Sequence, residues 1–150
     1  MTARFQDLCD GYCGIAGVPA PQLEMEAEGL VAFHVRLRGV TVDFVYSPAV
    51  DDQRILVIVE MGPLPEHNGA AVAGLLDANF FRQQPGAPVF ARNPATGDAV
   101  LQLLHPLEAT TAADLFAVVD AGIDTALQWR DGEVPSASST PPASLIHGLA

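Results

Sequence analysis

Lysine is absent from this sequence. All seven basic residues are arginines, set against 18 acidic residues, for a formal net charge of −11. Without lysine there is no Schiff-base chemistry and no lysine to hold a phosphate in a P-loop. So acidic a surface repels nucleic-acid phosphates and anionic lipid, and it favours solubility or a basic partner. No nucleic acid and no membrane insertion are expected. Long apolar runs are also missing. None approaches the roughly 18 residues of a membrane span, and the opening MTARFQDLCD has no apolar core of a secretory signal. A cytoplasmic location is the expectation. Cysteine is scarce: Cys9 and Cys13 are the only two. Their i, i+4 spacing puts both thiols on one helix face, too far apart for an easy disulfide and without a second ligand pair for zinc. They read as small hydrophobes facing a core.

What is plentiful is apolar side chain, at 49% of 150 residues against 17% charged. That composition is too apolar for disorder over most of its length, and it suits one domain with one core. Residues 3–16 carry a helical stripe of Phe5, Leu8, Cys9, Tyr12, Ile15 and Ala16, weakened by glycines. GVPAPQ is a linker. From Gly29 the period becomes two, with Val31, Phe33, Val35 and Leu37 opposite Ala32, His34, Arg36 and Arg38. After Gly39 a second strand follows, and RILVIVEMG, 54–62, makes a third that is apolar on both faces. Strands near 88–92 and 98–105 flank the turn NPATGD. The TAAD at 111–114 has capping-box form and opens a helix with a core stripe of Leu115, Val119, Gly122, Ile123 and Ala126. The domain is expected to span 1–131, with 132–150 a Ser/Pro/Ala-rich mobile tail. Helix, three strands, helix, two strands, helix is an α+β order, a twisted antiparallel sheet with helices packed on it.

The helix at 70–81, AAVAGLLDANFF, raises a question because apolar or small residues run almost all the way round it. Val72, Leu75, Leu76 and Asn79 form a bulky face that suits the sheet. Ala70, Gly74, Ala78 and Phe81 form a smaller face, which would let a second copy approach closely across a two-fold axis. Asn79 reads as a buried cap or turn former near the helix end. The alternative is a monomer whose own chain covers both faces.

No nucleotide, metal or protease motif is present: there is no G-x-x-x-x-G-K, G-x-G-x-x-G or H-E-x-x-H. His34 and Asp43 could face each other across the first hairpin, but no serine lies in a nucleophile elbow. His67 and His105 read as surface residues, and Asp51 and Asp52 as a turn. Nothing converges on a catalytic, metal or cofactor site, so a binding protein is expected rather than an enzyme.

The run from Met61 to Leu107 resembles the Tir chaperone (CesT) family, the class I chaperones of type III secretion. The resemblance is carried by an apolar strand, G-x-L-P, a helix ending L-L-x-A-N-x-x, and a hairpin around N-P-x-T-G. Its residues are Gly62, Leu64, Pro65, Leu75, Leu76, Ala78, Asn79, Asn93, Pro94, Thr96 and Gly97, with Trp129–Arg130 closing the final helix. The resemblance implies an α-β-β-β-α-β-β-α homodimer in the cytoplasm of a Gram-negative bacterium. Such a dimer binds the N-terminal segment of a secreted effector, holds it extended, uses no cofactor, and hands it to the export apparatus, whose ATPase would be a further partner. Two departures stand out: the first helix is short and glycine-rich, and the tail after 131 is extra. YbjN-like proteins share this general architecture, so a small dimeric regulatory or protein-binding module without an export role is the alternative. An enzyme with a site assembled between subunits is the third. Strand 54–60 points to where an effector would bind. Helices on one side of a sheet can bury only one of its faces, leaving Leu56 and Ile58, with Ala32, on the other as an apolar binding patch.

Overall fold

In the computed structural model, which describes residues 3–25, 27–67, 69–82, 84 and 86–135, the chain runs α1 (Ala3–Ala16), β1 (Glu24–Met25), a 3-10 turn at Ala27–Gly29, β2 (Val31–Leu37), β3 (Val40–Tyr46), β4 (Arg54–Pro63), α2 (Gly69–Phe81), β5 (Val89–Arg92), β6 (Asp98–Pro106) and α3 (Ala112–Arg130). The six strands form one sheet in the order β1-β2-β3-β4-β6-β5, every pair antiparallel. The expected elements are all present. The addition is β1, two residues long and too short to show a period. Residues 136–150, most of the expected tail, lie outside the described residues.

The alternation read from sequence sets the faces. Ile55, Val57, Val59 and Met61 of β4 have no accessible surface, because α3 lies across them. Gly122 lets α3 come that close, since a Cβ there would sit 3.1 Å from Val59 Cγ2. α1 packs in turn against α3, and at their crossing a Cβ on Gly11 would meet Ala112 Cβ at 2.8 Å. Of the glycines that weaken α1 as an isolated helix, Gly11 thus admits its neighbour. Tyr12 packs on Phe44, and Phe5 stacks on Tyr46 at 5.0 Å between ring centres. Cys9 and Cys13 are buried and free. Burial raises both thiol pKa values, which keeps them unreactive. Ile15 differs from expectation: it is half exposed, about 90° round the helix from the buried face through Phe5, Cys9 and Tyr12.

Two arginines bolt α3 to the sheet. Arg38 and Gly39 make the two-residue β2–β3 turn, both with positive φ, 51° and 77°, the twist-matched hairpin geometry. Arg38 then reaches Asp120 at 2.7 Å and Asp124 at 2.8 Å. Arg130 donates to the carbonyls of Met61, Gly39 and Glu60, around the bulge between Glu60 and Gly62. The capping box opens α3 as expected, with Asp114 N–H donating to Thr111 Oγ1 and Thr111 N–H to Asp114 Oδ2. In the β5–β6 turn, Asn93 Oδ1 accepts from the Ala95 amide, and Gly97, at φ 80°, donates to the Asn93 carbonyl.

His105 is a correction: it is buried, only 6% exposed, not a surface residue. It sits on the helix-facing side of β6, opposite Ile55, with Nε2 2.8 Å from Thr110 Oγ1. Burial lowers its pKa, partly offset by the Asp114 carboxylate. The folded state therefore favours neutral imidazole, while the unfolded chain takes up a proton near pH 6.5. Stability contributed by this group is present above about pH 6.5 and is lost as pH falls below it. The urea midpoint is expected to drop between pH 7 and pH 5 in the wild type and to drop less in His105→Gln. Equal drops in both proteins would assign the acid sensitivity to other groups.

Candidate functional site: an open sheet face and its two edges

Among the described residues no helix covers the sheet face away from α1 and α3. Across it the register makes a cross-strand row of Ala32, Val45, Leu56 and Leu104, and beside it a row of His34, Asp43, Ile58, Gln102 and Val89. Ala32, Val45, Leu56 and Ile58 are half-buried, and Leu104 and Val89 are exposed. The structure thus brings Ala32, Leu56 and Ile58 onto one face. Sequence reasoning missed Val45 and Leu104, which complete the apolar row. Their signal was available in the alternation of β3 and β6, but it needs the strand order to be read. His34 and Asp43 are direct cross-strand partners. Burial raises the Asp43 carboxyl pKa and His34 works against that shift. Asp51 accepts from the Gln53 and Arg54 amides and pairs with Arg54, a turn as expected. Among the described residues no group of three His, Cys, Asp or Glu is placed to hold a metal.

The two sheet edges are finished differently. β5 ends the sheet on one side, and Phe90 would leave an amide and a carbonyl unpaired there. Asn79 of α2 fills both positions: its Oδ1 accepts from Phe90 N–H at 2.7 Å and its Nδ2 donates to Phe90 O at 2.9 Å. The expected helix-end cap is therefore a strand-edge cap.

On the other side, the hairpin turn makes Leu37 and Val40 a hydrogen-bonded pair. Odd-numbered residues of β2 then bond β3, and Ala32, His34 and Arg36 turn their backbone groups outward. β1 reaches only Val31 and Ala32. The chain before it, Val18–Gln22, runs past His34 and Arg36 across a groove of about 790 Å³, and Pro19 and Pro21 have no amide to donate. Among the described residues nothing pairs the outward backbone groups of His34 and Arg36, which form an open edge.

α2 also differs from expectation in the face it buries. Ala71, Leu75 and Ala78 face the protein, while Val72 is 39% and Leu76 64% exposed. Being apolar all round, the helix gives periodicity nothing with which to choose a face. Of the small face, Ala78 has no accessible surface, and Gly74 lies under the chain's own Val134, whose Cγ1 would be 2.5 Å from a Cβ there. Ala70 is exposed and Phe81 half-buried. Gly74 and Ala78 are thus occupied within one subunit. The outward stripe is Val72, Leu76 and Phe80.

The model of the Tir chaperone protein (CesT) family matches residues 15–130. The chain belongs to that family. Solved structures agree in fold. The Yersinia pestis type III secretion chaperone SycH, in complex with a stable fragment of YscM2, superposes with TM-score 0.64 at 15% identity, covering 83% of this chain and 98% of that one. The ExsC–ExsE complex gives 0.66 at 20% identity, covering 92% and 98%. The ExoT–SpcS complex from Pseudomonas aeruginosa gives 0.60 at 17%, covering 85% and 98%. No curated protein sequence matches the chain. Among the described residues of this CesT-family protein, no helix is long and apolar enough to cross a membrane.

Replacing Asn79 by Ala leaves two backbone groups of β5 without partners. Asn79→Ala is expected to cost about 1–3 kcal/mol, the range for stranding partly buried polar groups, measured by chemical denaturation. A cost near zero would mean that water seals this edge equally well.

Proposed function

We propose that this CesT-family protein is a cytoplasmic, homodimeric type III secretion chaperone that holds the N-terminal region of a secreted effector extended and export-competent. It does so by binding alone, without cofactor or catalysis. The observation that carries the reading is the apolar row Ala32–Val45–Leu56–Leu104 on a helix-free sheet face, beside the unpaired edge at His34 and Arg36. Successive parts of an extended segment can use both features, one setting apolar side chains on the row and another pairing its backbone with the edge. A folded partner would have little use for the edge. The solved relatives in fold, determined in complex with YscM2, ExsE and ExoT, support a protein partner.

Leu56 and Ile58 are only half-buried, so acids there disturb the binding face more than the core. Leu56→Asp with Ile58→Asp is expected to weaken effector capture, in co-expression pull-downs with candidate effectors, by about a hundredfold, roughly 3 kcal/mol. Circular dichroism should stay unchanged. Normal capture by the folded double variant would move the groove elsewhere.

Dimerisation is assigned to the outward side of α2. Ala70, with the exposed Val72, Leu76 and Phe80, offers an apolar stripe on an otherwise acidic protein. Phe81 at the end of the same helix would join them. A stable dimer needs an interface of about 1,600 Å² in total. Light scattering at micromolar concentration is expected to give twice the 15.8 kDa chain mass for the wild type and the single mass for Leu76→Asp. A monomeric wild type would remove the dimer from the reading.

A further inference from the structure

We infer that the open edge of β2 selects a partner segment bearing an acidic side chain, read by Arg36. The inference rests on the chaperone reading above and deepens it. Five of the seven arginines are committed: Arg4 pairs with Glu108, Arg38 with Asp120 and Asp124, and Arg54 with Asp51. Arg130 is held by three carbonyls, and Arg82 lies over the Phe90 ring, 5.1 Å from its centre. Arg92, which has no ion pair or side-chain hydrogen bond among the described residues, lies at the end of β5 on the far edge of the sheet. Arg36 has no ion pair or hydrogen bond among the described side chains, and it lines the groove at the open edge. Nothing in the fold uses its charge.

Its position is what gives it a reader's role. A strand laid beside β2 would bond the outward backbone groups of His34 and Arg36. The residue it places opposite Arg36 has its side chain on the same sheet face, with Cβ atoms about 5 Å apart. A carboxylate there meets a guanidinium whose planar donors suit it. Across strands, Thr41 lies opposite Arg36 and Asp43 opposite His34, so the site's negative charge sits one pair further along. On a protein of net charge −11, an acid elsewhere on the partner strand is repelled. The contact therefore fixes register more than it adds affinity. The chain's own residues 136–150 contain no acidic residue and do not fit this reader.

Blocked synthetic decapeptides of alternating Val and Thr, with Glu, Gln or Lys at one central Val position so that it shares a face with the remaining valines, are titrated by fluorescence anisotropy against the full chain and its Arg36→Glu variant. The wild type is expected to bind the Glu peptide roughly fivefold tighter than the Gln peptide, with Lys weakest. Arg36→Glu should reverse the order, and added salt should shrink both differences. Arg36 is exposed, so the variant should keep the wild-type circular dichroism spectrum. Equal binding of all three peptides, or an order unchanged in Arg36→Glu, overturns the acid-reading role and leaves the strand-binding edge standing. Binding of none overturns the edge as a strand site and this inference with it.

Discussion

Every open β-sheet leaves a line of backbone donors and acceptors at each end, and those groups must be paired, hydrated or hidden. In this protein the two ends are treated oppositely, and much else follows from that. At β5 the side chain of Asn79 imitates a neighbouring strand, giving Phe90 one donor and one acceptor. That contact fixes where α2 lies, and so which of its faces turn outward. At β2 the covering segment is proline-bearing and cannot imitate a strand, so two residues of edge stay available. A sheet sealed at both ends could bind only through side chains. One open at both ends would invite its own aggregation.

The strands were legible because alternation is a local signal. β2 and β3 wrote their buried faces in every second residue. β4, apolar on both faces, took its buried one from its neighbours. The register is set by the two-residue turn at Arg38–Gly39, of which the sequence showed only a turn at Gly39. The α3 cap and stripe were equally local. What stayed illegible depended on distant partners. α2 is apolar on all sides, so its buried face is decided by Asn79 reaching a strand eleven residues later, which no period reports. His105 is buried through a contact with Thr110 and by the helix layer above it, and a strand-end histidine carries no mark of that. Val134 covers Gly74 from a stretch with no pattern of its own. The apolar patch was inferred from β4 alone; its full row needed the order of four strands.

The absence of lysine acquires a structural meaning in the two bolts of α3. Arg130 satisfies three carbonyls around a bulge, and Arg38 spans two aspartates one helical turn apart, geometries that a planar guanidinium fork meets and a single ammonium does not. Exposed pairs of this kind are individually weak, up to about 1 kcal/mol each, so their effect lies in direction more than in energy. They fix α3 at both its middle and its end over the one sheet face it covers, with α1 beside it on that face, held by Phe5 on Tyr46 and Tyr12 on Phe44. The helix side is therefore closed by shape, and among the described residues no helix remains for the other face. An apolar row that a second helix layer would cover in a three-layer fold is left half in water, beside an edge that accepts backbone. A face so placed gains most from an occupant with side chains on one side and unpaired backbone along its length, which describes an unfolded chain.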